Sequence, residues 1–395
     1  MTRRVLVAGV GMIPFAKPSA AEPYDVMGAG AVQAALVDAG LDYTQIQQVY
    51  AGYVYGDSTC GQRVVYRFGQ TGIPVLNVNN NCASGSSALW LARQAVASES
   101  AECVLAVGFE QMPPGALSAK WQDRPLPLTD FIETLRSVFP VVEGAPLTPQ
   151  YFAAAGAEYM AKYGMPAETF AAVSVKARRH AADNPYAVFR DPISVQDVLE
   201  SPHLGGPLTR LQACPPTCGA AAAIVCSEDF AARNGLRADV AIKAQALMSD
   251  EPGMFEKKSA MALVGSDVTR AAANRVYEQA GVDPRDIKVV ELHDCFTVNE
   301  VLSYEALGLC EEGGAERFIV DGDNTYGGRV VVNPSGGLLS KGHPLGATGL
   351  AQTAEITWQL RGEAHARQVE GVTLGLQHNL GLGTAGVVTL FERLG

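Results

Sequence analysis

A chain of 395 residues is more than one small core can organise, and the length points to two or three domain-sized units. At 48% hydrophobic and 18% charged residues, the composition is that of a soluble globular protein. The net charge of −11 argues against nucleic acid as a partner, because phosphate binding needs a basic surface, yet it leaves room for a local basic patch.

No apolar run approaches the ~20 residues that span a membrane. Residues 5–14 follow a basic pair and flow into domain-like sequence, so they read as a first strand and not as a signal peptide. Gly9 and Gly11 begin a dinucleotide-binding fingerprint that Pro14 breaks, and no helix start follows at once. These glycines are therefore expected to punctuate the strand. A helix through residues 31–39 closes at Gly40, and a strand follows near Val49. Residues 75–81 are β-like and end in Asn79, Asn80 and Asn81, which favour turns and caps. Leu89, Leu91, Ala92, Ala95 and Val96 then carry a helical pattern, which places Cys82 at the opening of that helix. A thiol there meets unpaired N–H groups and the positive end of the helix dipole, so its pKa is expected to fall and its thiolate to be a nucleophile. The plain alternative is a buried structural cysteine.

A strand over 103–108 is followed by a stretch, 112–216, rich in proline, aromatics and charge, with helices near 153–163 and 168–180. A further strand follows at 220–226. The pattern then repeats. Residues 272–283 and 287–292 copy the earlier helix, Gly turn and strand, with Ala280-Gly281-Val282-Asp283 matching Ala39-Gly40-Leu41-Asp42. A helix beginning near Gly346 matches the one at Cys82, and strands at 372–377 and 385–391 match 103–108 and 220–226. Two duplicated βαβαβ-type halves follow, with mixed, largely parallel sheets covered by crossover helices. The boundaries are 1–111 with 217–238 for the first half, 112–216 for an inserted lobe, and 239–395 for the second half. The lobe is placed where a substrate or cofactor cover belongs. Trp121, Phe131, Phe139, Tyr151 and Phe152 are its candidate apolar wall; Lys176, Arg178, Arg179 and Arg190 are its candidate phosphate contacts.

The eight cysteines form no compact framework and are expected to be reduced. Cys214 and Cys218 have the spacing of half a zinc site, but only His203 and Cys226 lie nearby in sequence, so no metal is expected. Three polar clusters close strands or precede a helix in the second half: Glu291–Phe296 with His293 and Cys295, the Gly-rich loop 333–349 with His343, and 377–383 with His378. Active sites of α/β folds gather at such strand ends. With Cys82 these residues supply a nucleophile, bases, a second thiol and backbone donors, the working set of acyl transfer.

Gly52–Gln62, Asn77–Cys82, His293-Asp294-Cys295-Phe296, residues 304–310, Gly342-His343-Pro344 and His378-Asn379-Leu380-Gly381 together resemble the thiolases, specifically the sterol-carrier-protein-X type, over essentially the whole chain. The resemblance implies the thiolase fold, an α/β five-layer αβαβα arrangement of two halves with an inserted loop domain. It implies coenzyme A and acyl-CoA as substrates, with no permanently bound cofactor, and a homodimer or a dimer of dimers. It assigns Cys82 as nucleophile, His343 as its activator and Cys295 as acid/base. His293 and His343 form one oxyanion hole, and the backbone N–H groups of Cys82 and Gly381 form a second; His378 completes the catalytic set. Two departures stand out: Ala83-Ser84 replaces Ser-Thr after the nucleophile, and Cys218 replaces an Asp. The implied activity is cleavage of 3-oxoacyl-CoA in fatty-acid or sterol side-chain β-oxidation. A retro-aldolase of steroid side-chain degradation and a non-catalytic acyl-CoA- or lipid-binding protein are the alternatives. Cys82 with Cys295 argues against the first, and the intact set against the second. The sequence stops where the resembled core stops, so no lipid-transfer activity is implied, and the absence of a terminal address motif makes the cytoplasm the expected compartment.

Overall fold

A computed structural model describes residues 3–113, 121 and 123–395. Residues 114–120 and 122 of the inserted lobe lie outside the described residues. The strands are β1 (Val5–Met12), β2 (Gln48–Gly52), β3 (Val75–Val78), β4 (Cys103–Glu110), β5 (His203–Gly205), β6 (Leu208–Thr209), β7 (Gly219–Ser227), β8 (Val240–Met248), β9 (Val289–Glu291), β10 (Val331–Val332), β11 (Leu374–Gly381) and β12 (Ala385–Arg393). The helices used below are α1 (Tyr24–Ala39), α2 (Ser84–Ala97), α3 (Thr129–Val138), α4 (Leu147–Tyr163), α5 (Ala167–Ala181), α6 (Ser266–Ala280), α7 (Thr297–Ala306) and α8 (Thr348–Arg361).

The duplication is written into the sheet. Its order is β10-β9-β11-β12-β8-β1-β7-β4-β2-β3, so each half contributes the same five-strand pattern, reversed about the β1–β8 join. That join is narrow, with Leu6 opposite Ala241. Both repeat helices, α1 and α6, end on a left-handed glycine, Gly40 (φ 66°) and Gly281 (φ 64°). The sheet is less parallel than the crossovers implied. β2 pairs parallel with β3 and β4, and β9 with β10 and β11, but β7 and β12 run antiparallel to their neighbours. The cause is the β11–β12 connection, a tight hairpin, which joins only antiparallel strands. The inserted lobe occupies the equivalent place between β4 and β7.

α1 packs on β1 and β7, α2 on β2 and β4, α8 on β9 and β11 and also on β7 and β1, and α6 on β8 and β12. α2 and α8 touch each other, so five layers follow: α1, one half-sheet, α2 with α8, the other half-sheet, α6. Ala88, Leu89 and Ala92 of α2 and Leu350, Ala351 and Ala354 of α8 fill one fully buried middle layer. The glycines of β1 are not punctuation. They sit mid-strand, where a Cβ on Gly9 would stand 2.5 Å from Ala35 O and one on Gly11 would overlap Ala35 N. They let α1 lie directly on the strand.

The lobe does not stand apart. Phe131, Tyr151, Phe152, Tyr159 and Phe170 share one core with Val298, Val301 and Leu302 of α7. Lys176 is no phosphate contact: it is buried and paired with Glu300 of α7, so its charge is already spent. Arg178 lies over the Phe189 ring, its guanidinium 4.4 Å from the centroid. Trp121 is exposed.

Candidate active site

A cavity of about 160 Å³ lies where the two halves and the lobe meet, and Cys82, His293, Cys295 and His343 all line it. Its remaining wall is apolar, with Phe152 from α4, Leu345 beside His343, and Leu380 and Leu382 at the end of β11. Sequence-distant groups converge here: Cys82 follows β3, His293 and Cys295 follow β9, and Leu380 and Leu382 lie at the end of β11.

Cys82 differs from its expected setting. It precedes the helix, since Ala83 is the N-cap residue and α2 begins at Ser84. Asn81, between β3 and Cys82, adopts a left-handed backbone conformation (φ 51°). The first donors of the helix are already used: Ala83 N bonds to Asn80 O at 3.1 Å and Ser84 N to Asn81 O at 3.0 Å. Burial, reinforced by the Glu110 carboxylate, therefore pushes the thiol up to about 12, although the Cys82 and Leu382 backbone N–H groups oppose the shift. The resting group is a thiol, and a base must take its proton as it attacks.

His343 is built for that. Its backbone N–H donates to Thr217 Oγ1 at 2.6 Å. Thr348 Oγ1 gives its own proton to Pro344 O at 2.9 Å, so at 2.7 Å it accepts from His343 Nδ1. The proton thus sits on Nδ1, and Nε2 keeps a lone pair that is buried and unpartnered. Burial holds this imidazole neutral, with its pKa lowered to about 3. One ring nitrogen from each of His293 and His343 and the Cys82 sulfur lie within 4.8 Å of one another, the one such cluster of potential metal donors among the described residues. The two rings meet edge-on at 5.0 Å between centroids.

Cys295 lies in the same cavity, and burial raises its pKa well above the usual thiol value, with Cys214, Cys82 and Asp294 adding to the shift. Protonated at rest, it can act as an acid. His378 does not face the cavity. β11 runs on to Gly381, so His378 falls within the strand, where its Nε2 meets Thr269 Oγ1 of α6 at 3.0 Å and its Nδ1 faces the His293 backbone N–H at 3.5 Å. It positions the His293 backbone. Gly381 packs on the nucleophile loop, where any Cβ would overlap Asn80 O. The amide that reaches the Cys82 sulfur, however, is that of Leu382, one residue on.

One residue carried no signal in the sequence. Glu110, at the end of β4, accepts from Val54 N (3.1 Å), Tyr55 N (2.8 Å) and Gly346 N (3.0 Å), so it ties the first half to the loop of His343. Burial raises its pKa to about 7. Cys214 lines the cavity and donates its backbone N–H to Cys295 O at 2.9 Å. Cys218 is separate from it: its sulfur accepts from Met112 N at 3.2 Å. Cys226 lies within β7, and His203 is exposed and bonded to Gly206 O, so the four candidate zinc ligands do not converge.

A model of the thiolase N-terminal domain matches residues 5–229, and one described as thiolase C-terminal domain-like matches 254–392. Sterol carrier protein 2 of Gallus gallus is 52% identical over 394 residues, covering 99% of this chain and 72% of that protein. Acetyl-CoA acetyltransferase of Methanothermobacter thermautotrophicus is 36% identical over 404 residues, covering 99% of this chain and 100% of that protein. Among solved structures, the Ltp2-ChsH2(DUF35) aldolase superposes with a TM-score of 0.83 at 26% identity, covering 99% of this chain and 98% of that one. With both domain models matched and Cys82, His343 and Cys295 in one cavity, the chain belongs to the thiolase family and is an acyltransferase of the sterol-carrier-protein type.

Proposed function

We propose that the chain cleaves 3-oxoacyl-CoA with coenzyme A to acetyl-CoA or propionyl-CoA and a shortened acyl-CoA, in fatty-acid or sterol side-chain β-oxidation. His343 Nε2 takes the Cys82 proton as the sulfur attacks the 3-oxo carbon. The resulting alkoxide meets the backbone N–H groups of Cys82 and Gly381, with that of Leu382 adjacent. The C2–C3 bond breaks, and its electron pair passes into the thioester enolate, whose oxygen is held by His293 and the now protonated His343. Cys295 protonates C2 and acetyl-CoA leaves. The Cys295 thiolate then deprotonates incoming coenzyme A, whose sulfur takes the acyl group from Cys82, and His343 returns its proton to the departing Cys82 sulfur. Two negative charges develop in turn, which calls for two donor sets.

The observation that carries this reading is an unpartnered His343 Nε2, on a ring that brings a nitrogen within 4.8 Å of the Cys82 sulfur, in a cavity shared with Cys295. Cys82→Ala is expected to abolish thiolysis and the acyl mass shift seen on mixing enzyme with acetyl-CoA; acyl label on another residue would reject Cys82 as nucleophile. We further propose that 112–216 forms a lobe between halves bounded at 1–111 with 217–238 and at 239–395, and that this lobe holds much of coenzyme A. Thr148, Phe152 and Cys214 of the lobe line the cavity, which supports the reading. Hydrogen exchange with and without coenzyme A should show protection within 112–216; protection confined to the two halves would reject it. No described helix is long and apolar enough to cross a membrane, and we propose a cytoplasmic homodimer.

A further inference from the structure

A neutral imidazole carries one proton, and the nitrogen that holds it decides whether the ring can donate to an oxyanion. Burial keeps His293 neutral, and the groups behind it determine the tautomer. The chain of bonds begins at the His378 carbonyl, which can only accept. Gln352 therefore turns Nε2 toward it, at 3.1 Å. That leaves Gln352 Oε1 to accept from Gln377 Nε2 at 3.0 Å, and the same Nε2 donates to Ser86 Oγ at 2.6 Å. Having accepted, Ser86 sends its own proton to Asn379 Oδ1, 3.0 Å away. Asn379 is left facing His293 Nδ1 with its Nδ2, at 2.9 Å. Nδ1 must accept, so the ring proton resides on Nε2.

We propose that Gln352, Gln377, Ser86 and Asn379 form a positioning relay that locks His293 as a permanent Nε2–H donor for the enolate oxygen. The inference rests on the proposed function for the enolate step, but the direction of the relay stands on geometry alone. All four relay side chains and His293 are buried. Gln377 Oε1 is buried without a partner. Turning Gln377 over would let that oxygen accept from Ser86, but it would also bring it against Gln352 Oε1. Turning Gln352 as well would bring two oxygens together at the His378 carbonyl. One unpaired acceptor is the lesser cost. Gly349, at the start of α8, covers the relay closely: a Cβ there would overlap Ser86 Oγ and stand 2.8 Å from Asn379 Oδ1. Ser86 comes from the first half and the other members from the second, so the relay is complete only when the halves dock.

The result is a division of labour between neighbouring rings. His343 is held with its lone pair on Nε2 and acts as base, whereas His293 is held with its proton on Nε2 and acts as donor. A ring protonated on Nε2 has no lone pair there to offer an ion, so the polarity set by Asn379 disfavours metal binding by His293 at that atom.

The test is two-bond ¹H–¹⁵N spectroscopy of the full-length protein labelled with ¹⁵N-histidine, with His293 assigned by its loss in His293→Gln. His293 Nε2 is expected to appear protonated and Nδ1 unprotonated, with His343 the reverse. A proton on His293 Nδ1 would overturn the relay whatever the activity. Ser86→Ala frees the Asn379 amide to rotate, so it should give mixed His293 tautomers. It should also slow carbon–carbon cleavage ~10²-fold or more, the scale of one lost oxyanion donor. Exchange of labelled coenzyme A into acetyl-CoA, which needs Cys82 but no enolate, should change little. A tautomer mixture with both reactions unchanged would uphold the relay and reject His293 as the enolate donor. If Ser86→Ala does not fold, the near-isosteric Asn379→Asp serves, since its carboxylate can only accept and should draw a proton onto His293 Nδ1. An unprotonated Nδ1 in that variant would overturn the inference.

Discussion

Cys82 behaves differently from a helix-activated thiol, and the difference is measurable. Because burial and Glu110 push its pKa up to about 12, the thiolate fraction rises about tenfold per pH unit through the neutral range without levelling. Alkylation of Cys82 by iodoacetamide, followed by peptide mass spectrometry, should therefore keep accelerating to at least pH 9. A plateau near pH 7 would mean that the thiol is already activated at rest. Cys295 and His378 separate as cleanly. Only Cys295 reaches the cavity, so Cys295→Ser should slow turnover by ~10²–10⁴-fold while a single acyl transfer to Cys82 persists. His378→Gln should instead lower the melting temperature and leave that single acyl transfer intact, because its side chain is spent on Thr269 and the His293 backbone. Cys82, His293, Cys295 and His343, picked out by residue type, all line the cavity, whereas His378 lies within β11 against Thr269 and the His293 backbone. The direction of a side chain in a strand depends on where the ladder begins and ends.

At the scale of elements, the loop carrying His343 is held by glycine. A Cβ on Gly108 of β4 would overlap Gly346 O, and one on Gly346 would lie 2.5 Å from both Gly52 O and Phe109 O. Backbone meets backbone where the first half touches the second, and Glu110 adds a bond to Gly346 N across the same seam. Gly108→Ala is expected to cost ~1–3 kcal/mol by overpacking and to push His343 away from Cys82. Kinetics and thermal unfolding should show a lower kcat together with a lower melting temperature. An unchanged kcat would mean that the loop is placed by other contacts. The duplication was legible because the glycine-capped helices of the two halves share a spacing. These contacts were not, because a sequence shows that a glycine is present but not what approaches it.

For the whole molecule, β3 is the outer strand of the ten-stranded sheet, with Leu76 44% exposed. An uncovered edge invites pairing with another chain. The proposed homodimer joins two β3 edges about a two-fold axis, the commonest symmetry of soluble oligomers. Asn79–Cys82 follow β3 directly, so the interface would also brace the nucleophile. Leu76→Lys is expected to shift the light-scattering mass toward that of a monomer and to depress activity with it. A fully active monomer in the unaltered protein would reject the interface.

The sequence by itself determined the two-fold duplication, the insertion in one half, the family and the main chemical groups, because these depend on local periodicity, glycine caps and short motifs. Only the tertiary structure decided the protonation and direction of those groups. The Cys82 pKa depends on burial and on Glu110, 28 positions along the chain. Lys176 is withdrawn from any phosphate by Glu300. The tautomer of His293 depends on Ser86, a residue of the other half. Charge, desolvation and hydrogen-bond polarity act between atoms that folding alone brings together.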